Sequence, residues 1–371
     1  MLNKDITLVK RNIKYGKYFA CLPVKWDKRS GKVVIFQGAQ KTLILALLFN
    51  LCVIFCRLLS TLTGSSSLLD RAQAAIGAVF FVTGFLIRFD VPIDHRHVQL
   101  VNLLLKPNGE SVSHRRDSKF QICLRFLYFA CEVTAPLISA ILATLTMISP
   151  CQPVLLSRLF CAKGNFLGGK SHFIIQSFLA ILEIVAFEHL AFSAVYYLAT
   201  VLLQGISLLW ISCNDFVISD KTVKDNFASF SKYRELKVYE KLLNSCTKSR
   251  ILLTVALLAP AIQILLSCVS IKLFQSENTR KIEAFLFIWV YILALVFTIF
   301  LFSAAAQINN LSMNWISLFK RKCRNRVERR MHKSLMSLRL EFGNNFVEAL
   351  TPIVVQEFCV RQTVTSLLIT G

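Results

Sequence analysis

Residues Phe173–Ile211 read FIIQSFLAILEIVAFEHLAFSAVYYLATVLLQGISLLWI, 39 consecutive residues whose only formal charges are Glu183 and Glu188. As a helix rising 1.5 Å per residue, the stretch is about 58 Å long. That is nearly twice a hydrocarbon core of roughly 30 Å. Gly205 is the only turn-forming residue within it. It therefore reads as one helix that crosses a bilayer and projects beyond it, rather than two spans with no room for a loop. Its polar continuation, Ser212–Lys248, reads as a helical cytoplasmic region.

Six further apolar runs flank this one: Thr42–Leu59, Ala72–Ile87, Leu124–Ile148, Ile251–Ile271, Ala284–Ile308 and Leu350–Gly371. A span needs about 20 apolar residues. The second run is short and bounded by Arg71 and Arg88, and the last contains Glu357 and Arg361. The expected fold class is an all-α membrane protein, a seven-transmembrane-helix bundle with a long fourth helix. A cytoplasmic amino-terminal tail, residues 1–41, precedes a transmembrane domain, residues 42–371. Composition agrees: 55% of the 371 residues are hydrophobic and 17% charged, against about 25% charged in soluble domains. The tail is polar and basic, the order expected of a signal-anchor first helix rather than a cleaved leader.

The net charge is +22. The basic residues lie beside apolar runs, which points to membrane lipid as a partner rather than nucleic acid. Their distribution sets orientation, because cytoplasmic loops are enriched in Lys and Arg. The amino-terminal tail and the loops after runs two, four and six hold 33 Lys and Arg, and the three alternate loops hold 7. This places the amino terminus in the cytoplasm of a multi-pass plasma-membrane protein. G-protein-coupled receptors have the opposite orientation. No Asp-Arg-Tyr-like triplet follows run three, and no Asn-Pro-x-x-Tyr lies in run seven.

Of the 12 Cys, Cys151 and Cys161 share the predicted outer loop between runs three and four. A disulfide there and two separate packed thiols are the alternatives. Gly164–Ser171 matches the P-loop letter pattern but lacks the strand and helix that make such a loop cradle phosphate. No metal, cofactor or catalytic constellation is read, so an enzyme is not expected. Charges within spans are costly and face a cavity or a partner; Glu132, Glu183 and Glu188 fall in this class. Glu188, Phe187, Phe192, Tyr196, Trp289 and Tyr291 form an aromatic set with one acidic anchor. Two readings stand for it, a small-molecule site and helix packing with an interfacial aromatic belt.

Seven spans, an inside amino terminus, basic cytoplasmic loops and an overlong fourth helix resemble the arthropod gustatory and odorant receptor superfamily. Tyr15-Gly16 followed by Leu22-Pro23 resembles the short signature ahead of the first span in gustatory receptors. In the last helix, Thr363-Val364, five residues, then Thr370-Gly371 keeps the spacing of the family's Thr-Tyr and Gln-Phe pairs and the first residue of it. The resemblance implies a subunit of a ligand-gated non-selective cation channel that senses a small-molecule tastant or odorant. It implies a homo- or heterotetramer of related subunits, with Thr363 and Thr370 lining the pore. A secondary transporter, supported by Glu132, Pro136 and Pro260, and a non-conducting scaffold subunit are the alternatives.

The charge asymmetry predicts that an epitope on the amino terminus stains only permeabilised cells. Staining of intact cells would reverse the orientation.

Overall fold

The computed structural model describes residues 3–63, 67–105, 119–162, 165–166, 172–220, 226–275, 281–323 and 325–370. Among these, six helices are long and apolar enough to cross a membrane. They are α2 (Ala39–Thr63), α3 (Leu68–Arg88), α5 (Lys119–Ile148), the column beginning with α6 (His172–Ala194), α9 (Ile251–Gln275) and α10 (Lys281–Lys322). A further 20-residue helix, α12 (Thr351–Thr370), follows them and packs on α9 and α10.

The long fourth run is one unbroken column. Helix α6 passes through a π-helical segment (Val195–Leu203) into α7 (Gln204–Asp220). The Gln204 N–H reaches the Ala199 carbonyl five residues back, so the backbone stays bonded while its register shifts. Every residue from Ala199 to Leu203 is buried, as are Tyr196 and Tyr197. Gly84 of α3 makes a close approach to this column possible, because a Cβ there would meet Leu190 Cδ1 at 1.9 Å.

The segment ahead of the first span is built rather than trailing. Helix α1 (Asn3–Tyr18) is followed by a hairpin of β1 (Val24–Asp27) and β2 (Lys32–Ile35). Val9 and Ile13 are buried, Lys10 lies over the Trp26 ring, and Tyr15 and Phe19 stack on Phe192 of the column. A second short hairpin pairs β3 (Cys161–Ala162) with β4 (Asn165–Phe166). The rest of the P-loop-like stretch, including Lys170 and Ser171, lies outside the described residues.

Helix α10 has 42 residues, about 63 Å. It therefore outruns the apolar stretch Ala284–Ile308. Beyond that stretch Ser312, Trp315 and Phe319 stay buried; their spacing continues a helical face against α7 and α8 (Asn226–Thr247). Trp315 stacks on Tyr233 of α8 at 4.6 Å between ring centroids. After the basic helix α11 (Arg326–Lys333), an extended strap runs along α8, carrying the hairpin of β5 (Glu341–Phe342) and β6 (Asn345–Phe346). Asn244 donates to the Arg339 carbonyl at 2.8 Å, and the Arg339 N–H donates to Glu240 at 2.8 Å. Side chains of α8 thus satisfy backbone that has no ladder of its own.

At the same end, Arg250 ties the start of α9 to the turn after α3. It bonds Asp90 at 2.9 Å and the Phe89 carbonyl at 3.1 Å, and lies over the Tyr197 ring. His97 of α4 (His95–Leu105) packs against Tyr196 and Tyr197, 3.5 Å from Asp90. Burial above all, then Arg250, pushes the imidazole down to about 4, against Asp94 and with a small push from His95. Burial raises Asp90 against the pull of Arg250. The unfolded chain takes up a proton below about pH 6.5 that folded His97 refuses. The stability tied to neutral His97 is complete above that pH and is lost as pH falls towards 4, about 2 kcal/mol of it by pH 5. Asp90 gives the opposite slope at the acid end. In detergent, the fall in unfolding temperature between pH 7 and pH 5 is expected to shrink in His97→Asn. An unchanged fall would dismiss His97 as the titrating group.

Candidate functional site: a buried apolar cavity

Helices α3, α5, α9 and α10 and the column line a partly open cavity of about 390 Å³. Its wall is almost wholly apolar; Phe80, Leu127, Ile138, Leu198, Ile262 and Phe297 represent the five contributing elements. Small residues make the space: Ala135, Ala191, Ala194, Ala259 and Ala294 line it. Polar groups contribute at a few points only, among them Gln73, Thr134, Gln152, Thr298 and the charged Arg57 and Glu283. A pocket of this size with few polar groups suits a neutral molecule of roughly 10–20 non-hydrogen atoms, bound by dispersion and desolvation. A second concavity, an open crevice of about 550 Å³, lies beside Asp90 and Arg250.

One end of the cavity is closed by the loop between α5 and α6, which contributes Gln152 and Val154. A disulfide joins Cys151 to Cys161 in this loop. A buried ion pair also holds it. Arg57 of α2 bonds Glu183 of α6 at 2.7 Å and also donates to the Val154 carbonyl. The other Glu183 oxygen accepts the Leu156 N–H at 2.6 Å. Both side chains are buried, and the Arg57 guanidinium lies 4.6 Å from the centre of the Phe81 ring. Each charge is thus compensated where water is excluded.

The other span charges also have identifiable neighbours. Glu132 pairs with Arg11 of α1, so it ties the amino-terminal helix to α5. Glu188 accepts from Ser139 at 2.7 Å, while its Oε2 has no partner among the described residues. His189 meets fully buried Arg88 at 2.8 Å. With its carboxamide turned so that oxygen faces the guanidinium, Asn50 accepts from both Arg88 terminal nitrogens at 3.1 Å.

The sequence-predicted aromatic set is dispersed. Phe187 lines the cavity. Glu188, its neighbour, turns to Ser139 of α5. Phe192 stacks with Tyr15 of α1 and with Phe19 just after it. Tyr196 is fully buried against His97 and Tyr197. Trp289 is partly exposed and donates to Thr134 at 3.2 Å, and Tyr291 packs on the cluster around Leu266 and Val269. Thr363 is buried, its carbonyl accepting from Cys268 of α9. The side chain of Thr370 lies outside the described residues. Sequence reasoning passed over the alanines and Gly84, whose signal is the absence of bulk on five facing helices.

No protein-family model matches the sequence, and no curated protein matches it. Solved structures do. The insect olfactory receptor OR5 from Machilis hrabei in complex with eugenol aligns over 98% of this chain and 98% of that one, with a TM-score of 0.62 and 12% identity. This chain has the fold of an insect olfactory receptor. A second structure of the same OR5 receptor aligns over the same shares at a TM-score of 0.57 and 12% identity. In the receptor fold the cavity described above is bounded by the long fourth column and the 42-residue α10, the two elements that most distinguish this bundle from one of uniform spans.

Removing Arg57 alone leaves Glu183 buried and unpaired, which costs about 3–5 kcal/mol. Arg57→Leu is therefore expected to lower folded yield and unfolding temperature sharply, and Arg57→Leu with Glu183→Leu to recover part of the loss. If the double variant is no better than the single, the pair is not the restraint on this loop.

Proposed function

We propose that this protein is a chemoreceptor, a gustatory-receptor-like subunit of a ligand-gated cation channel that binds a small apolar molecule in the cavity among its helices. The observation that carries this reading is the cavity itself: about 390 Å³ of almost wholly apolar space among five helical elements, in a fold similar to a receptor solved with eugenol. Phe187, the one member of the sequence-predicted set on the wall, contacts the ligand in this reading.

Helix α12 supports the channel part. Its Ile353, Val354, Phe358, Val364 and Leu368 are exposed, and so is the Glu357–Arg361 ion pair. A span with both apolar and charged residues uncovered is suited to neighbouring subunits and a water-filled pore, and poorly suited to lipid. The assembly in this reading is a homo- or heterotetramer in the plasma membrane, with Thr363 and Thr370 on the helix that borders the pore. The transporter alternative loses support from Glu132, which is partnered by Arg11 rather than free in the bundle interior.

The test is whole-cell current in cells expressing the full chain, alone and with related subunits, under a panel of small neutral odorants and tastants that includes eugenol. At least one compound is expected to evoke a dose-dependent cation current. Filling the cavity with Ala259→Trp is expected to raise its half-maximal concentration by about tenfold or more at unchanged surface expression. Normal surface expression without current from any compound or subunit pairing would overturn the channel reading.

A further inference from the structure

Thr298 of α10 lines the cavity, one turn beyond Ala294, which also lines it. The same threonine is fully buried and stands at a junction of three helices. Its Oγ1 accepts from Gln263 Nε2 of α9 at 2.5 Å and from Gln356 Nε2 of α12 at 3.3 Å. It donates within its own helix to the Ala294 carbonyl at 2.9 Å. A hydroxyl has one proton and two lone pairs, so this contact set saturates it. Gln263 is itself buried and reaches the Ala294 carbonyl at 3.3 Å. A single oxygen therefore joins the cavity wall to α12.

We propose that Thr298 and Gln356 are positioning residues that carry the state of the cavity wall to α12. The inference rests on the reading of α12 as the pore-bordering helix. The two bonds to Thr298 are unequal. That from Gln263 is short; that from Gln356 is near the long limit of a hydrogen bond. A shift of the Ala294–Thr298 turn by a few tenths of an ångström therefore leaves the first intact and makes or breaks the second. Gln356 is part-buried against Thr298, and losing that bond takes away its partner on α10, which favours movement of α12 over toleration of the gap. Two other polar contacts of α12 are softer: Cys359 donates to the Pro260 carbonyl and Cys268 to the Thr363 carbonyl, both through sulfur at 3.8 Å or more. A ligand that presses on the wall beside Ala294 thereby acts on α12 without touching it.

Cys359 provides a readout that needs no ligand. It is buried between α12 and α9, so its modification by N-ethylmaleimide reports how firmly α12 is seated. In the full-length protein in nanodiscs, with labelling followed by peptide mass spectrometry, Thr298→Val and Gln356→Met are each expected to accelerate Cys359 labelling several-fold. The double variant is expected to go no further than Thr298→Val alone, because that change already removes the acceptor of the Gln356 bond. Thr298→Ser is expected to retain the wild-type rate, and Cys323 at the far end of α10 to be unaffected. Ala294→Phe, which fills the cavity beside the junction, is expected to change Cys359 labelling in the wild-type background and to lose that effect in Gln356→Met. Additive single variants, unchanged rates, or an Ala294→Phe effect independent of Gln356 would overturn the relay. If labelling behaves as expected but the chain passes no current, the relay stands as a coupling of cavity to helix and the channel reading fails.

Discussion

Backbone polar groups cannot be left unsatisfied where water is absent, and the column from His172 to Asp220 is organised by that requirement. A break in a helix at membrane depth would expose N–H and C=O groups to hydrocarbon. The column instead changes register through a π-helical segment that keeps its bonds. Its first part, α6, packs beside α3 and α5, and its last, α7, beside α8 and α10. The cavity lies along the first part and a dense aromatic core along the second. π-Helical segments recur at functional sites, and this one contributes Val195 and Leu198 to the cavity wall.

Charge obeys the same rule. Arg57 and Glu183 neutralise each other and use their remaining capacity on the backbone of the loop that covers the cavity. Arg250 and Asp90 do so at the opposite end, where two chain reversals meet. Elsewhere in the bundle Glu188 accepts from Ser139 and Arg88 meets His189, and neutral bonds join Thr298 to its two glutamines and Tyr128 to Thr200 at 2.6 Å.

Much of the cavity's environment was visible in the residues without its shape being so. Buried carboxylates at Glu183 and Glu188 demanded partners, and one partner, Arg57, lay in a run already identified as a span. Which carboxylate it served was not legible, since Arg57 and Glu183 are 126 residues apart. The aromatic set suggested a pocket, yet large rings fill space more often than they border it. Phe192, Tyr196 and Tyr291 became packing, while the space along the wall came from alanines and from Gly77 and Gly84, with no periodic signal of their own. The amino-terminal helix α1 was missed because its overall polarity hid the narrow stripe carrying Val9 and Ile13.

Hydropathy by itself determined the apolar runs, the overlong fourth helix and the marginal character of the last, because a span is a local property of about 20 consecutive residues. Loop charge likewise supplied an expected orientation. Only the tertiary structure decided that the long column passes through a π-helical turn, that α10 continues to Lys322, and that Glu132 belongs to the amino-terminal helix. The cavity and the Thr298 junction belong to the same class. They arise where small or polar side chains on helices far apart in sequence face one another, and no local pattern encodes that meeting.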